Sequence, residues 1–240
     1  MNWTALYVVA TILILPAIIY GIFTNSQINS VFDYYSKRFS QSGITGAELA
    51  KKLLTKAGAT DVDIANINGR LTDCYDSRHK VVKLSNQTFG STSIAALGVC
   101  AHEVGHAIQD HKQVLIYKIR QTLVPVFSFI SKAYVPLIIV GALLSLSVFF
   151  EAIAFYFVIA SVVSYGATLM FYLITFPVEI DASKRALALL KDNNILNSAE
   201  LGGAKQVLSA AAKTYLSALL TSLVFFLRFL SFAMMMTRKD

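Results

Sequence analysis

Charge is scarce in this chain: 15% of its 240 residues are charged, against roughly 25% in a soluble domain. With 55% hydrophobic residues and a mean hydropathy of +0.59, the shortage excludes an ordinary soluble globular domain and points to several membrane spans. Four prolines and twelve glycines are too few for a linker-rich or low-complexity chain. The two cysteines, Cys74 and Cys100, form no C-x-x-C pair and no disulfide scaffold; free thiols suit a reducing, cytosolic side. Acidic residues are also few, 14 against 21 lysines and arginines, for a net charge of +7. The basic residues flank apolar stretches, so topology explains the excess and no nucleic-acid partner is expected.

The apolar residues fall into long runs. Trp3 to Phe23 carries no charge, is long enough to span, and lacks a basic n-region and a small-residue cleavage site, so it reads as a retained anchor. A polar stretch from Thr24 to about Gln113 follows. In it, Thr45-Gly-Ala-Glu48 is a capping box opening a helix that ends at Gly58. Three strand-like runs lie near Val62–Ile67, Arg70–Tyr75 and Lys80–Ser85, the last two joined at Asp76-Ser77-Arg78 as a hairpin. Ser91 or Ser93 caps a second helix that runs to about Asp110. Its stretch Ile94 to Ala101 is apolar nearly all round, which predicts burial. Val114 to Ile130 has helical spacing with Lys118 and Arg120 between the apolar positions, as in an interfacial helix or the tilted start of a span.

Tyr134–Phe150 and Ala152–Phe176 form a spanning hairpin with Glu151 at the far surface. Pro177 then starts a polar helix over Val178–Lys191. Asn197-Ser-Ala-Glu200 caps a last helix that spans from about Thr214 to Met236, with Lys213 and Arg228 placed to snorkel. The fold expected is mainly α and integral to the membrane, with about four transmembrane helices and a small α+β zincin-like region at the cytosolic face. Its segments are an anchor (1–23), a catalytic stretch (24–113), an interfacial helix with the hairpin (114–176), a polar helix (177–206) and a last span (207–240).

Four spans put the loop after the first and the segment after the third on one side. Thirteen lysines and arginines lie between Lys37 and Lys132, and Lys184, Arg185, Lys191 and Lys205 join them; the other side holds Arg238 and Lys239, with Arg228 near it. The positive-inside tendency places that rich side in the cytosol and the N-terminus outside, as in a multi-pass protein of a bacterial-type cytoplasmic membrane.

On that side stands His102-Glu103-Val104-Gly105-His106. Two histidines four apart on a helix reach one Zn²⁺, and the glutamate beside the first can take a proton from water activated by the metal. A hydrolytic site needs a third protein ligand. His79, His111, Glu179, Asp181 and Cys74 lie on the correct side. His111 is five residues past His106, about 500° round the helix, and points away. His79, beside Arg78, sits at the hairpin turn, where an exposed histidine is common. Glu179 and Asp181 follow Pro177 at the membrane exit of the third span, where a carboxylate serves either the motif helix or simple solubility.

Five strings, the motif's own among them, resemble in order the YugP-type bacterial membrane zinc metallopeptidases: Ile44-Thr-Gly-Ala-Glu-Leu-Ala, Leu71-Thr-Asp-Cys-Tyr-Asp, Val82-Lys-Leu-Ser, Ala101-His-Glu-Val-Gly-His-Ala-Ile-Gln and Phe176-Pro-Val-Glu-Ile-Asp-Ala-Ser. The likeness runs from about Tyr34 to Leu230. It implies a gluzincin-like endopeptidase in the membrane, with His102 and His106 as metal ligands, Glu103 as base, and Glu179, or failing it Asp181, as third ligand. Cys74 stands where the family pattern leads one to expect histidine, and Ser77 where it has proline. Tyr75, His79 and Arg185 are candidates for contact with substrate or oxyanion, Asp181 for orienting a histidine, and the strand Val81–Ser85 for holding an extended substrate. The partners expected are the bilayer and a protein or peptide substrate; the sequence sets no oligomeric state. Two other readings compete: a zinc protein that serves as a scaffold, and a zinc hydrolase of lipids or small molecules. Glu103 argues against the first, because a structural site needs no base.

Overall fold

The computed structural model describes residues 2–236. Eight helices and three short strands follow in order: α1 (Trp3–Ser36), α2 (Gly46–Ala57), β1 (Asp63–Ile67), β2 (Cys74–Asp76), β3 (Val81–Ser85), α3 (Asn86–Phe89), α4 (Ile94–His111), α5 (Leu115–Ser131), α6 (Tyr134–Leu144), α7 (Glu151–Asp192) and α8 (Ser198–Met236). They form two compact units. One comprises the segments up to Phe23, Ile119–Phe176 and from Tyr215 onward; the other comprises Thr24–Lys118 and Pro177–Thr214.

The first unit holds the apolar runs. Four helical stretches are long and apolar enough to cross a membrane: Trp3–Ser36, Leu115–Leu144, Val148–Asp192 and Ser198–Met235. The count agrees with the hydropathy reading, and the second stretch begins at Leu115 rather than Tyr134. Val114–Ile130 fits the second of its two readings, the start of a span: α5 and α6 follow one another through a tight turn at Lys132 and Ala133. The expected span Tyr134–Phe150 ends early, since α6 stops at Leu144 and a short 3-10 turn (Val148–Phe150) leads into α7. Lys118 and Arg120 lower the local hydropathy of α5 without breaking its helix. Inside this unit Val158, Val162 and Ala233 pack with Phe226 and Phe229, and Tyr165 meets Tyr134 and Phe229 edge-on, with centroids at 5.0 and 5.2 Å.

Pro177 does not start a helix. It lies within α7, which continues from Glu151 to Asp192. A proline removes one backbone donor and crowds the carbonyl four residues back, yet long spans tolerate it when the flanking turns are held. Here Thr175 and Val178 are both buried on either side of it.

The second unit is a soluble-type fold. Thr45 caps α2, and Glu48 reaches back to the Thr45 amide at 2.9 Å and hydroxyl at 2.8 Å, bonds that hold its carboxyl below the usual range. Gly58 closes the helix at φ +76°, a left-handed turn that suits glycine. The strands order β1-β3-β2, with β1 parallel and β2 antiparallel to β3. The hairpin is as read, though only Cys74–Asp76 of its first arm pairs. β3 is therefore the central strand, and Val81–Ser85 has no free edge for an added peptide; the edges of the sheet belong to β1 and β2. Ser93 caps α4 through the Ala96 amide at 3.2 Å, and Leu97, Cys100, Ala101 and Val104 are fully buried against Leu49, Leu53 and Leu84. Asn197 and Glu200 cap α8 reciprocally, and Glu200 also accepts the Gln41 amide at 2.7 Å.

Candidate metal centre

Burying α4 on all sides puts its motif inside the second unit, where polar groups need partners. His102 and His106 project from one face, ring centroids 4.7 Å apart. Opposite them runs α7. Gly105 sets the approach: a Cβ built there would lie 2.8 Å from the Ala182 carbonyl oxygen, so only glycine lets the two backbones come this close.

That approach brings Glu179 to both imidazoles. Its Oε2 lies 3.2 Å from His102 Nε2 and 3.4 Å from His106 Nε2. Ligand atoms of the three residues all fall within 4.8 Å of one another. Glu179 is 3% exposed and His106 6%. Burial alone would push the Glu179 carboxyl up; the bonds from both histidines, with their charge, overcome this and hold it well below the carboxylate range.

The far nitrogens are also committed. Gln109 Nε2 donates to Val178 O at 3.1 Å and Asp181 Oδ2 at 2.7 Å, two groups that only accept. Gln109 Oε1, 2.9 Å from His106 Nδ1, must then accept, so Nδ1 carries a proton and Nε2 is the nitrogen left to face Glu179. Two imidazole nitrogens and a carboxylate oxygen converging in a buried place form a donor set that fits a divalent ion of zinc type. His102 Nδ1 meets Ser183 Oγ at 3.2 Å.

Glu103 is 8% exposed. Burial pushes its carboxyl up to about 7; the His102 charge and the Tyr75 backbone N–H oppose this, while Glu179 and Asp73 add to it. A carboxyl poised there can take and return a proton near neutral pH.

The other expected residues separate. Asp181 accepts from Gln109 and, at 2.7 Å, from Arg185 Nε, so it meets His106 only through Gln109. Tyr75 brings its backbone N–H to Glu103, but its hydroxyl donates to Asp110 at 2.8 Å, beside Lys80 at 2.6 Å. His79 is exposed and bonds Asp76 at 2.9 Å, and His111 pairs with Asp61 at 3.9 Å. Cys74 is exposed; burial of part of its surface and nearby Glu103 raise its thiol. Asp181, His79, His111 and Cys74 all stand outside the three-residue group. The residues not foreseen are Gln109, Ser183 and Asp73. Gln109 lies three past His106, the spacing that puts two side chains on one helix face, and that spacing was the available signal.

This geometry can be compared with known proteins. The sequence profile of a family described as "Putative neutral zinc metallopeptidase" matches residues 10–234. The chain belongs to this zinc metallopeptidase family. A relative within curated sequences, "Putative membrane protease YugP" of Bacillus subtilis (strain 168), is 37% identical over 203 residues, covering 85% of this chain and 87% of that protein. No solved structure matches. The match takes in both units, so the chain is a multi-pass membrane member of the family, with the His102–His106–Glu179 cluster inside the matched range.

Proposed function

We propose that the chain is a membrane-embedded zinc-dependent endopeptidase acting on membrane or membrane-proximal proteins. The observation that carries this reading is the convergence of His102, His106 and Glu179 with a buried carboxylic acid, Glu103, poised at about 7 beside them. The three residues would hold the ion, which when bound supplies Lewis acidity toward water and a peptide carbonyl. Glu103 takes the proton of the attacking water on its carboxylate and later returns it to the leaving amine. Gln109 and Ser183 hold the imidazoles in place, and Asp181 with Arg185 holds Gln109. The unpaired edge of β2, whose Tyr75 amide already reaches Glu103, suits an extended peptide laid alongside it. A scaffold role explains neither Glu103 nor its setting. The lysine and arginine distribution supports a cytosolic metal unit and an external N-terminus.

The test uses full-length protein in detergent or liposomes, with membrane-protein substrates found by comparing membranes of cells carrying wild type or Glu103→Gln. Glu103→Gln is expected to lose about 10²- to 10⁴-fold in cleavage rate and keep its zinc, and Glu179→Ala to lose zinc. Wild-type cleavage by Glu103→Gln would overturn the mechanism, and unchanged zinc in Glu179→Ala would overturn the ligand assignment.

A further inference from the structure

Arg228 stands within the apolar run of α8. Roughly 12 Å of helix separate it from Met236, and roughly 6 Å separate Tyr7 from Trp3 on α1. With four crossings, these two helix ends reach the same leaflet. A charge at such depth is costly unless it is paired. Its partners are incomplete. Nη2 donates to the Tyr7 hydroxyl over a long 3.4 Å, the guanidinium carbon lies 5.5 Å from the Tyr7 ring centroid, and Nε is buried without a partner. The Tyr7 hydroxyl is no carboxylate and forms no ion pair with it. Among the described residues of this unit Glu151 is the only carboxylate, and no ion pair joins it to Arg228. Beside the guanidinium opens a cavity of about 190 Å³ lined by Tyr7, Ile138, Arg228, Phe229 and Phe232. It has a cationic and hydroxylic side and an apolar, aromatic wall.

We propose that this cavity is a phospholipid site. The headgroup phosphate of a lipid in that leaflet accepts from Arg228 and from the Tyr7 hydroxyl, and its glycerol and upper acyl chain lie on Ile138, Phe229 and Phe232. A guanidinium presents a fork that matches phosphate oxygens, and the abundant anion of the membrane interface is lipid phosphate. The lipid would complete the contact between α1 and α8 that Tyr7 alone makes poorly. The site is independent of the metal chemistry.

Full-length protein, stripped of lipid by extended detergent washing, is titrated with phosphatidylglycerol, diacylglycerol or inorganic phosphate, and occupancy is read by native mass spectrometry. Wild type is expected to take up one tightly held phosphatidylglycerol, to bind diacylglycerol at least tenfold more weakly, and to be indifferent to inorganic phosphate. Arg228→Leu is expected to weaken lipid binding at least tenfold and Tyr7→Phe about threefold, with helix content unchanged by circular dichroism. Wild-type affinity in Arg228→Leu would overturn the proposal, as would diacylglycerol binding equally well. Displacement of the lipid by equimolar inorganic phosphate would overturn its lipid half and leave an anion site. If Arg228→Leu does not fold, Arg228→Lys takes its place. It keeps the charge and loses the fork, and an unchanged affinity there would be equally fatal.

Discussion

Leu15 in α1 is 64% exposed and Leu53 in α2 fully buried, the same side chain suited to two solvents. The unit of spans turns Ile12, Leu15 and Ile22 outward and keeps Ser161, Ser222 and Ser231 inside. Each of those serines closes on a carbonyl three or four residues back in its own helix, as Ser161 does on Val158 at 2.7 Å and Ser222 on Leu219 at 2.8 Å. The metal unit does the reverse. Its leucines go in, and its decisive polar contacts join residues far apart in the chain: Gln109 to Val178 at a separation of 69, His102 to Glu179 at 77, Ser183 to His102 at 81. These serines satisfy themselves locally, because lipid offers them nothing. Glu179, Ser183 and the amide of Gln109 find their partners only through the fold.

The largest effect that would break this contrast is in packing. Leu53→Ala should cost about 2–5 kcal/mol of unfolding free energy, through lost burial and the cavity left behind. Leu15→Ala should change it by less than about 0.5 kcal/mol, since that side chain meets lipid whether or not the helices are packed. Denaturant titration in one detergent measures both, and similar losses would refute the inversion. Next is Gln109→Leu, which keeps the volume of a fully buried side chain but frees His106 Nδ1. Chelator competition should show zinc affinity falling about 10- to 100-fold, with cooperative unfolding retained. Unchanged affinity would reduce the long-range bond to packing.

The smallest effect lies at the sheet. Lys83 at 2.6 Å, then His79, holds the Asp76 carboxyl well below the usual range. A carboxyl depressed in the folded state contributes stability above its unfolded pKa of about 4 and loses it as the pH falls through the folded value. The modest thermal-stability gap between wild type and Asp76→Asn should therefore be full at pH 7 and shrink below about pH 4. A gap that widened in acid would reverse the sign.

The same contrast explains what could be read before the fold was known. Hydropathy is a local average, so the number of spans was legible, as were caps such as Thr45–Glu48 and the i, i+4 histidines. Where a local average misleads, boundaries slipped: Lys118 and Arg120 left Val114–Ile130 open between an interfacial helix and the start of a span, and Pro177 looked like a break in a helix that runs through it. Glu179 followed only from likeness to a family, because nothing within a few residues of it says which helix it faces. Gln109 showed only its spacing from His106. Its partners Val178 and Asp181 lie on another helix. The central place of β3 depended on β1 pairing in parallel, a choice with no local signature.

The contact of Gly105 with the Ala182 carbonyl acts as a ruler. Two backbones already touching can be moved only apart, so every substitution at position 105 lengthens the gap and none shortens it. The distance across the ligand set thus has a hard lower stop set by main-chain atoms, while its upper side is open. Variation at this position is expected to shift preference among cations in one direction only, toward larger ions.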